Sequence, residues 1–310
     1  MPFDQSHAVW PPAATLAGAV SCSGKSVHAG TAATVQLQPA PLGTGIVFDR
    51  IDLADVPADV RRVPARWDLI AATDLCTVLR NEHGTDVATV EHMMAALHGL
   101  GITDVIVALS GPEVPIMDGS AHDFATLIQS VGIRPFDAPS PSLIIDRPVE
   151  VRDGANWARL LPAAFAAAPV YACEIAFASA AIGEQRQLLT LTPDTFAREI
   201  AAARTFGFHE QAAYLWQRGL ALGAGLENTI VIKDDAVMNA EGLRWADEFV
   251  RHKLLDAIGD LALCGGRLVG SYQSHRPSHR LHAQLAREAM RSGAARLVTG
   301  DAVPATVAAE

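Results

Sequence analysis

The sequence predicts a mixed α+β protein built as two halves that face each other, and three observations carry that expectation. Its 310 residues exceed what one hydrophobic core usually serves, so two domains are expected. A Pro/Ser/Ala stretch, DAPSPS at Asp137–Ser142, interrupts the chain near its middle and reads as a linker between 1–136 and 143–310. Each half then follows one order of elements: short strands, a central helix with a histidine near its start, and a Gly-terminated turn into a further strand.

In the first half, Thr34–Gln38 and Gly45–Phe48 read as short strands. Thr89 is placed to cap a helix over Val90–His98, whose Val90, Met93, Met94 and Leu97 recur at helical spacing and form its buried stripe. Gly99 and Gly101 end it, Asp104–Leu109 (DVIVAL) reads as a buried strand, and a second helix is expected over Phe124–Val131. The second half offers strands near Leu143–Ile145, Tyr171–Phe177 and Thr229–Ile232. The segment FVRHKLLDAIGD, Phe249–Asp260, reads as helix throughout, closing at Gly265 and Gly266 before a strand over Leu268–Tyr272. Pro277 predicts a loop that carries His275 and His279, followed by a helix from about Arg280. The Ala-rich tail from Ser292 is expected to be mobile after its first few residues.

A formal net charge of −10 argues against a general nucleic-acid binder, since no basic stripe is available to neutralise phosphates. Cys22, Cys76, Cys173 and Cys264 form no CxxC pair, which points to a reducing cytoplasm without disulfides. The first residues carry an acid and no Lys or Arg, unlike a secretory signal, and the apolar stretch Ala163–Ala181 is broken by Pro169 and Glu174. A soluble protein without a transmembrane segment is expected, acting as a monomer on a small molecule.

The chemistry-bearing residues concentrate on the two central helices. His252 and Asp256 lie four residues apart and share a face, with Asp260 one turn further, while Val250, Leu254, Ala257, Ile258 and Leu261 lie opposite. That is a two-ligand platform for a metal, or simply a solvated polar face. On the first helix His92 points away from the expected core and Glu91 lies at its flank, a ligand beside a carboxylate that can work on water, or an acid favourably placed at a helix N-terminus. Neither HExxH nor HxxEH occurs around Glu91. In EVPIMDGS, Glu113–Ser120, a tight turn is expected, and RTFGF, Arg204–Phe208, holds a hydroxyl among apolar groups where it could serve as a donor.

Together these segments resemble the UDP-3-O-acyl-N-acetylglucosamine deacetylase family, zinc enzymes of lipid A biosynthesis. The resemblance rests on TVEHMMAAL (Thr89–Leu97), PEVPIMDGSA (Pro112–Ala121), ARTFGF (Ala203–Phe208), DEFVRHKLLDAIGDLALCG (Asp247–Gly265), LCT (Leu75–Thr77) and His279, in the family's order along nearly the whole chain. It implies two similar domains, each a two-layer sandwich of a small β-sheet and paired helices, with the site at their interface. It implies His92, His252 and Asp256 as ligands of Zn2+, with Fe2+ as an alternative in the cell. Glu91 would be the general base and His279 the general acid or electrostatic partner, oriented by Asp260. Thr205 would hydrogen-bond the oxyanion and Lys253 would add positive charge beside it. Leu75, Cys76, Phe206, Thr229 and Val231 would border the acyl chain, and Arg276 the nucleotide phosphates. The reaction implied is hydrolysis of the N-acetyl group of an acylated UDP-glucosamine, with release of acetate.

Three departures bear on substrate affinity: GKSVHAG at Gly24–Gly30, GAG at Gly223–Gly225, and HRPSH at His275–His279, where Pro277 stiffens the segment. None removes a proposed ligand or Glu91. Two other classes stay open on sequence grounds: a catalytically silent homologue that binds the nucleotide sugar, and a non-haem iron oxygenase, because two histidines and one carboxylate also describe its facial triad.

Overall fold

The computed structural model describes residues 12–163 and 168–299, and it is a mixed α+β structure of small sheets and several helices. In the first half, alternating buried positions in Ala32–Pro39 and the apolar run Val105–Leu109 build a five-stranded sheet in the order Val20–Lys25, Ala32–Pro39, Val105–Leu109, Ile46–Arg50, Arg62–Pro64. Helices α1 (Glu91–Gly99) and α2 (His122–Val131) of this half pack against each other.

The second half centres on the nine-residue strand Arg267–His275. It pairs parallel with Ser142–Ile145 and Val170–Ala176, and antiparallel with Asn156–Pro162. A short three-stranded sheet, Phe206–Phe208, Ile230–Lys233 and Ala236–Val237, carries helix α3 (His209–Gln217) beside it. Helix α4 (Glu248–Ala262) lies against Val170–Ala176 and Glu184–Thr190, and helix α5 (His279–Arg291) against Val149–Asp153 and Asn156–Pro162. In both halves the strand after the central helix is an inner strand of the sheet.

Several expectations need correction. Thr89 does not cap α1: its φ is 58° and its hydroxyl donates to Glu113 Oε1 at 3.1 Å, while Val90 holds the cap position without a side-chain bond. The positive φ of Thr89 is not the extended backbone that an N-cap needs, and its hydroxyl is committed to Glu113. His275 is the last residue of a strand and His279 the first of α5, so neither belongs to a free loop. The signal was present in the sequence: Ser278 accepts from Leu281 N, and an N-cap serine directly after Pro277 starts the helix early. The stretch Asp137–Ser142 is mostly strand. Ile133–Pro139 pairs with Pro12–Leu16, and Ser142 opens the next strand. The tail from Ser292 forms the strand Ala295–Val298 against Ser142–Ile145, and 300–310 lie outside the described residues. No helix among the described residues is long and apolar enough to cross a membrane.

Candidate metal centre and active site

Helices α1 and α4 come together because Gly259 lets them. A Cβ at that position would run into the carbonyl oxygen of Glu91 and crowd Ala95 N, so only glycine permits this approach of the two backbones. The polar faces that each helix would otherwise turn to solvent therefore meet inside the protein, and Glu91, His92, His252, Asp256 and Asp260 are all buried. The start of α4 is pinned by Glu248, which accepts from the Arg204 guanidinium at 2.9 and 3.2 Å and from Arg204 N at 3.1 Å. Both side chains are buried, so this pair fixes α4 against the segment that presents Thr205.

The rings of His92 and His252 lie edge to face with centroids 5.0 Å apart. Asp256 Oδ1 is 3.7 Å from His92 Nε2 and 3.4 Å from His252 Nε2, and the three ligand atoms fall within 4.8 Å of one another. His252 Nδ1 lies 3.0 Å from Ala203 O and can only donate to that carbonyl, which leaves the Nε2 lone pair free for a cation. Burial lowers His252 to about 3, so the ring is neutral at physiological pH. Despite burial, Asp256 lies well below the usual carboxylate range: a charged His252 and Lys253 both lower it, and once His252 is neutral the Lys253 ammonium carries that support. Its Oδ2 accepts from Lys253 Nζ at 2.8 Å, whereas Oδ1 is buried without a hydrogen-bond partner. An unpartnered carboxylate oxygen beside two imidazole nitrogens is costly unless a cation takes it, and this donor set fits a divalent metal with an open position.

Beside these three groups lies a second polar cluster. Glu91 Oε2 accepts from Thr77 N at 3.1 Å, and Glu91 Oε1 lies 3.7 Å from His279 Nε2. Burial raises the Glu91 carboxyl, with His279 and His92 opposing. His279 Nδ1 meets Asp260 Oδ2 at 2.8 Å. Burial alone would lower His279, but the carboxylates of Asp260, Glu91 and Asp256 outweigh it and push the ring up to about 10. A base candidate and a protonated imidazole thus face each other across a few ångströms.

The wall opposite comes from Phe206–Phe208. Thr205 N donates to Gly119 O at 2.8 Å, and Gly119, with φ +86°, sits where a Cβ would collide with Asn228 O. The Asp-Gly turn expected in EVPIMDGS is therefore what seats Thr205. Thr205, Lys253, Leu75, Cys76, Phe206, Thr229 and Val231 all line one cleft of about 550 Å³, together with the three ligand candidates, Glu91 and His279. Its outer part is apolar, extended by α3 through Leu215 and Trp216. Arg276 differs. It is exposed and lies outside the cleft wall, because its backbone turns at φ 50° and ties Arg276 N to Glu174 O.

Comparison with known proteins agrees with this arrangement. The profile of the LpxC family, described as UDP-3-O-acyl N-acetylglycosamine deacetylase, matches residues 13–291. The chain belongs to the LpxC family. Among the relatives of this LpxC chain, the UDP-3-O-acyl-N-acetylglucosamine deacetylases of Shewanella sp. (strain W3-18-1) and Shewanella oneidensis are each 40% identical over 274 residues, covering 88% of this chain and 88% of theirs. The two-domain α+β fold and metal dependence are general to LpxC proteins.

Four residues that sequence reasoning did not single out join the LpxC site. Thr77 bridges the halves, its hydroxyl donating to Asp260 Oδ1 at 2.6 Å. Glu113 accepts from the backbone of His28 and Ala29 at 2.8 and 3.1 Å, which ties the GKSVHAG segment to the cleft. His282 and Tyr272 lie behind Asp260. Only His282 carried a local signal, three residues after His279 on the same face of a helix.

Proposed function

We propose that this chain hydrolyses the acetamide of UDP-3-O-(3-hydroxyacyl)-N-acetylglucosamine, releasing acetate and leaving the free glucosamine amine, a step of lipid A biosynthesis. The observation that carries the reading is the convergence of three ligand atoms with Glu91 and His279 on the floor of a cleft whose outer part is apolar. Membership of the LpxC family supports the same substrate class.

In this reading His92, His252 and Asp256 hold the cation, taken as zinc, with ferrous iron as the other ion that two imidazoles and a carboxylate suit. When bound, the metal supplies Lewis acidity at the acetamide carbonyl and lowers the pKa of water to about 7. Glu91 takes the proton of the attacking water at its carboxylate, where burial favours proton acceptance. Thr205 donates its hydroxyl to the developing oxyanion, a contact of a kind worth about 3 kcal/mol. Lys253 holds Asp256 in place and adds positive charge beside that oxygen. As the C–N bond breaks, His279 gives its Nε2 proton to the departing nitrogen, with Asp260 orienting the ring through Nδ1. The leaving group departs as a neutral amine, the proton held by Glu91 returns to His279 Nε2, 3.7 Å from Glu91 Oε1, and the acetic acid formed ionises to acetate.

The acyl chain is assigned to the apolar wall of Leu75, Cys76, Phe206, Thr229 and Val231, and Arg276 to the diphosphate from outside the cleft. The division into 1–136 and 143–310 with 137–142 between them belongs to this proposal. It is supported by Ser140 and Pro141 separating a strand paired with Pro12–Leu16 from one paired with Arg267–His275. The reading also takes the enzyme as a cytoplasmic monomer. Free Cys22, Cys76, Cys173 and Cys264 suit a reducing compartment, and light scattering tests the oligomeric state.

The test is acetate release from the acylated UDP-sugar by purified protein, its loss to a chelator and its return with limiting zinc. A fully zinc-loaded protein that releases no acetate would overturn the proposal.

A further inference from the structure

Asp260 receives three hydrogen bonds. Thr77 Oγ1 donates to Oδ1 at 2.6 Å, and the Nδ1 atoms of His279 and His282 each lie 2.8 Å from Oδ2. The other ring nitrogen of His282, Nε2, lies 2.8 Å from the hydroxyl of Tyr272. Thr77, Asp260, Tyr272 and His282 are all buried, so no solvent competes for these contacts. The Asp260 carboxylate can only accept, so His282 carries its hydrogen on Nδ1, directed at Oδ2. Burial pushes the Tyr272 phenol well above its ordinary value, so the phenol keeps a proton that it can offer to Nε2. Asp260, His279 and His282 could also surround a cation, but hydrogen bonds at 2.8 Å account for their approach.

We propose that His282, locked by Tyr272 as the neutral Nδ1–H tautomer, is a positioning residue for the deacetylation, fixing the Asp260 carboxylate so that its remaining acceptor direction meets His279. The inference rests on the proposed function. A carboxylate held only by Thr77 and His279 can swing about its own axis and carry the imidazole with it. A second donor on Oδ2 removes that freedom.

The experiment uses the full-length enzyme and the His282→Leu, His282→Asn and Tyr272→Phe variants. Zinc-loaded His282→Leu is expected to lose about tenfold to a hundredfold in kcat with KM and metal content unchanged. His282→Asn should recover most of that loss, because an asparagine amide occupies roughly the place of Nδ1 and restores the donor. In parallel, long-range 1H–15N spectra of ring-labelled histidines in the metal-free protein should show His282 as the neutral Nδ1–H tautomer near pH 7, with that signature altered in Tyr272→Phe. An Nε2–H tautomer in the parent, or a folded His282→Leu variant with parental kcat, overturns the inference. Absence of acetate release by the zinc-loaded parent instead overturns the functional reading, and the ring spectra still decide the tautomer.

Discussion

His92 and His252 lie on different halves of the chain, yet their rings touch edge to face at 5.0 Å, and Asp256 Oδ1 reaches both. Glu91 precedes His92 on α1 and lines the same cleft, but its oxygens are not among the three ligand atoms that converge. The roles of these neighbours can be separated by substitution.

Glu91→Gln keeps the shape of the side chain and an acceptor for Thr77 N but cannot take a proton. Zinc content should stay near one per chain while acetate release falls by about 10²–10⁴-fold, the usual worth of a positioned general base. Parallel metal analysis and initial rates decide it, and parental turnover would remove Glu91 from the base role.

Lys253 holds the second carboxylate oxygen of Asp256 at 2.8 Å. Lys253→Met retains the aliphatic stem and removes the donor, which should weaken zinc binding by about ten to a hundredfold. Competition against a chelator of known affinity reads the effect directly. A large fall in kcat with unchanged zinc affinity would instead put the charge of Lys253 on the substrate.

The pH dependence has a definite sign. Burial lowers His279, but Asp260 leads the carboxylates that outweigh burial and push the ring up to about 10. A nearby carboxylate stabilises the imidazolium, so Asp260→Asn removes part of that support and the ring loses its proton at lower pH. The alkaline limb of the kcat profile should therefore move toward acid in Asp260→Asn. A limb that stays in place would mean another group controls it.

Gly259→Ala tests the helix contact. Its Cβ would meet Glu91 O and Ala95 N, so α1 and α4 must separate. Overpacking of this kind costs about 1–3 kcal/mol, measurable as a lower denaturation midpoint with an unchanged slope. Zinc affinity should fall with it, because the shift is applied next to His92 and one turn from Asp256. A destabilised variant with parental zinc affinity would show that the ligands tolerate the separation.

How legible the site was depended on how far apart its partners are in sequence. The His252, Asp256 and Asp260 face follows from helical spacing alone, and α4 is found at Glu248–Ala262, around the segment that the pattern predicts. The capping role that the pattern predicts for Thr89 fails because its φ is positive and its hydroxyl is taken by Glu113, a residue from another segment. Arg276, inside the HRPSH motif, is exposed and does not line the cleft, and its backbone N–H donates to Glu174 O. Thr77, Glu113 and Tyr272 gave no local signal, as each acts on a partner from a distant segment.

The sequence by itself determined the α+β composition, the two central helices and which of their faces carry chemistry, because those depend on spacings within a few residues. The resemblance of its motifs also fixed the family. Only the tertiary structure decided that the two polar faces close on each other, that Thr77 and His282 share Asp260 with His279, and which residues wall the cleft. The physical reason is that buried polar groups must find partners, and those partners are supplied by the packing of remote segments, down to the missing side chain of Gly259.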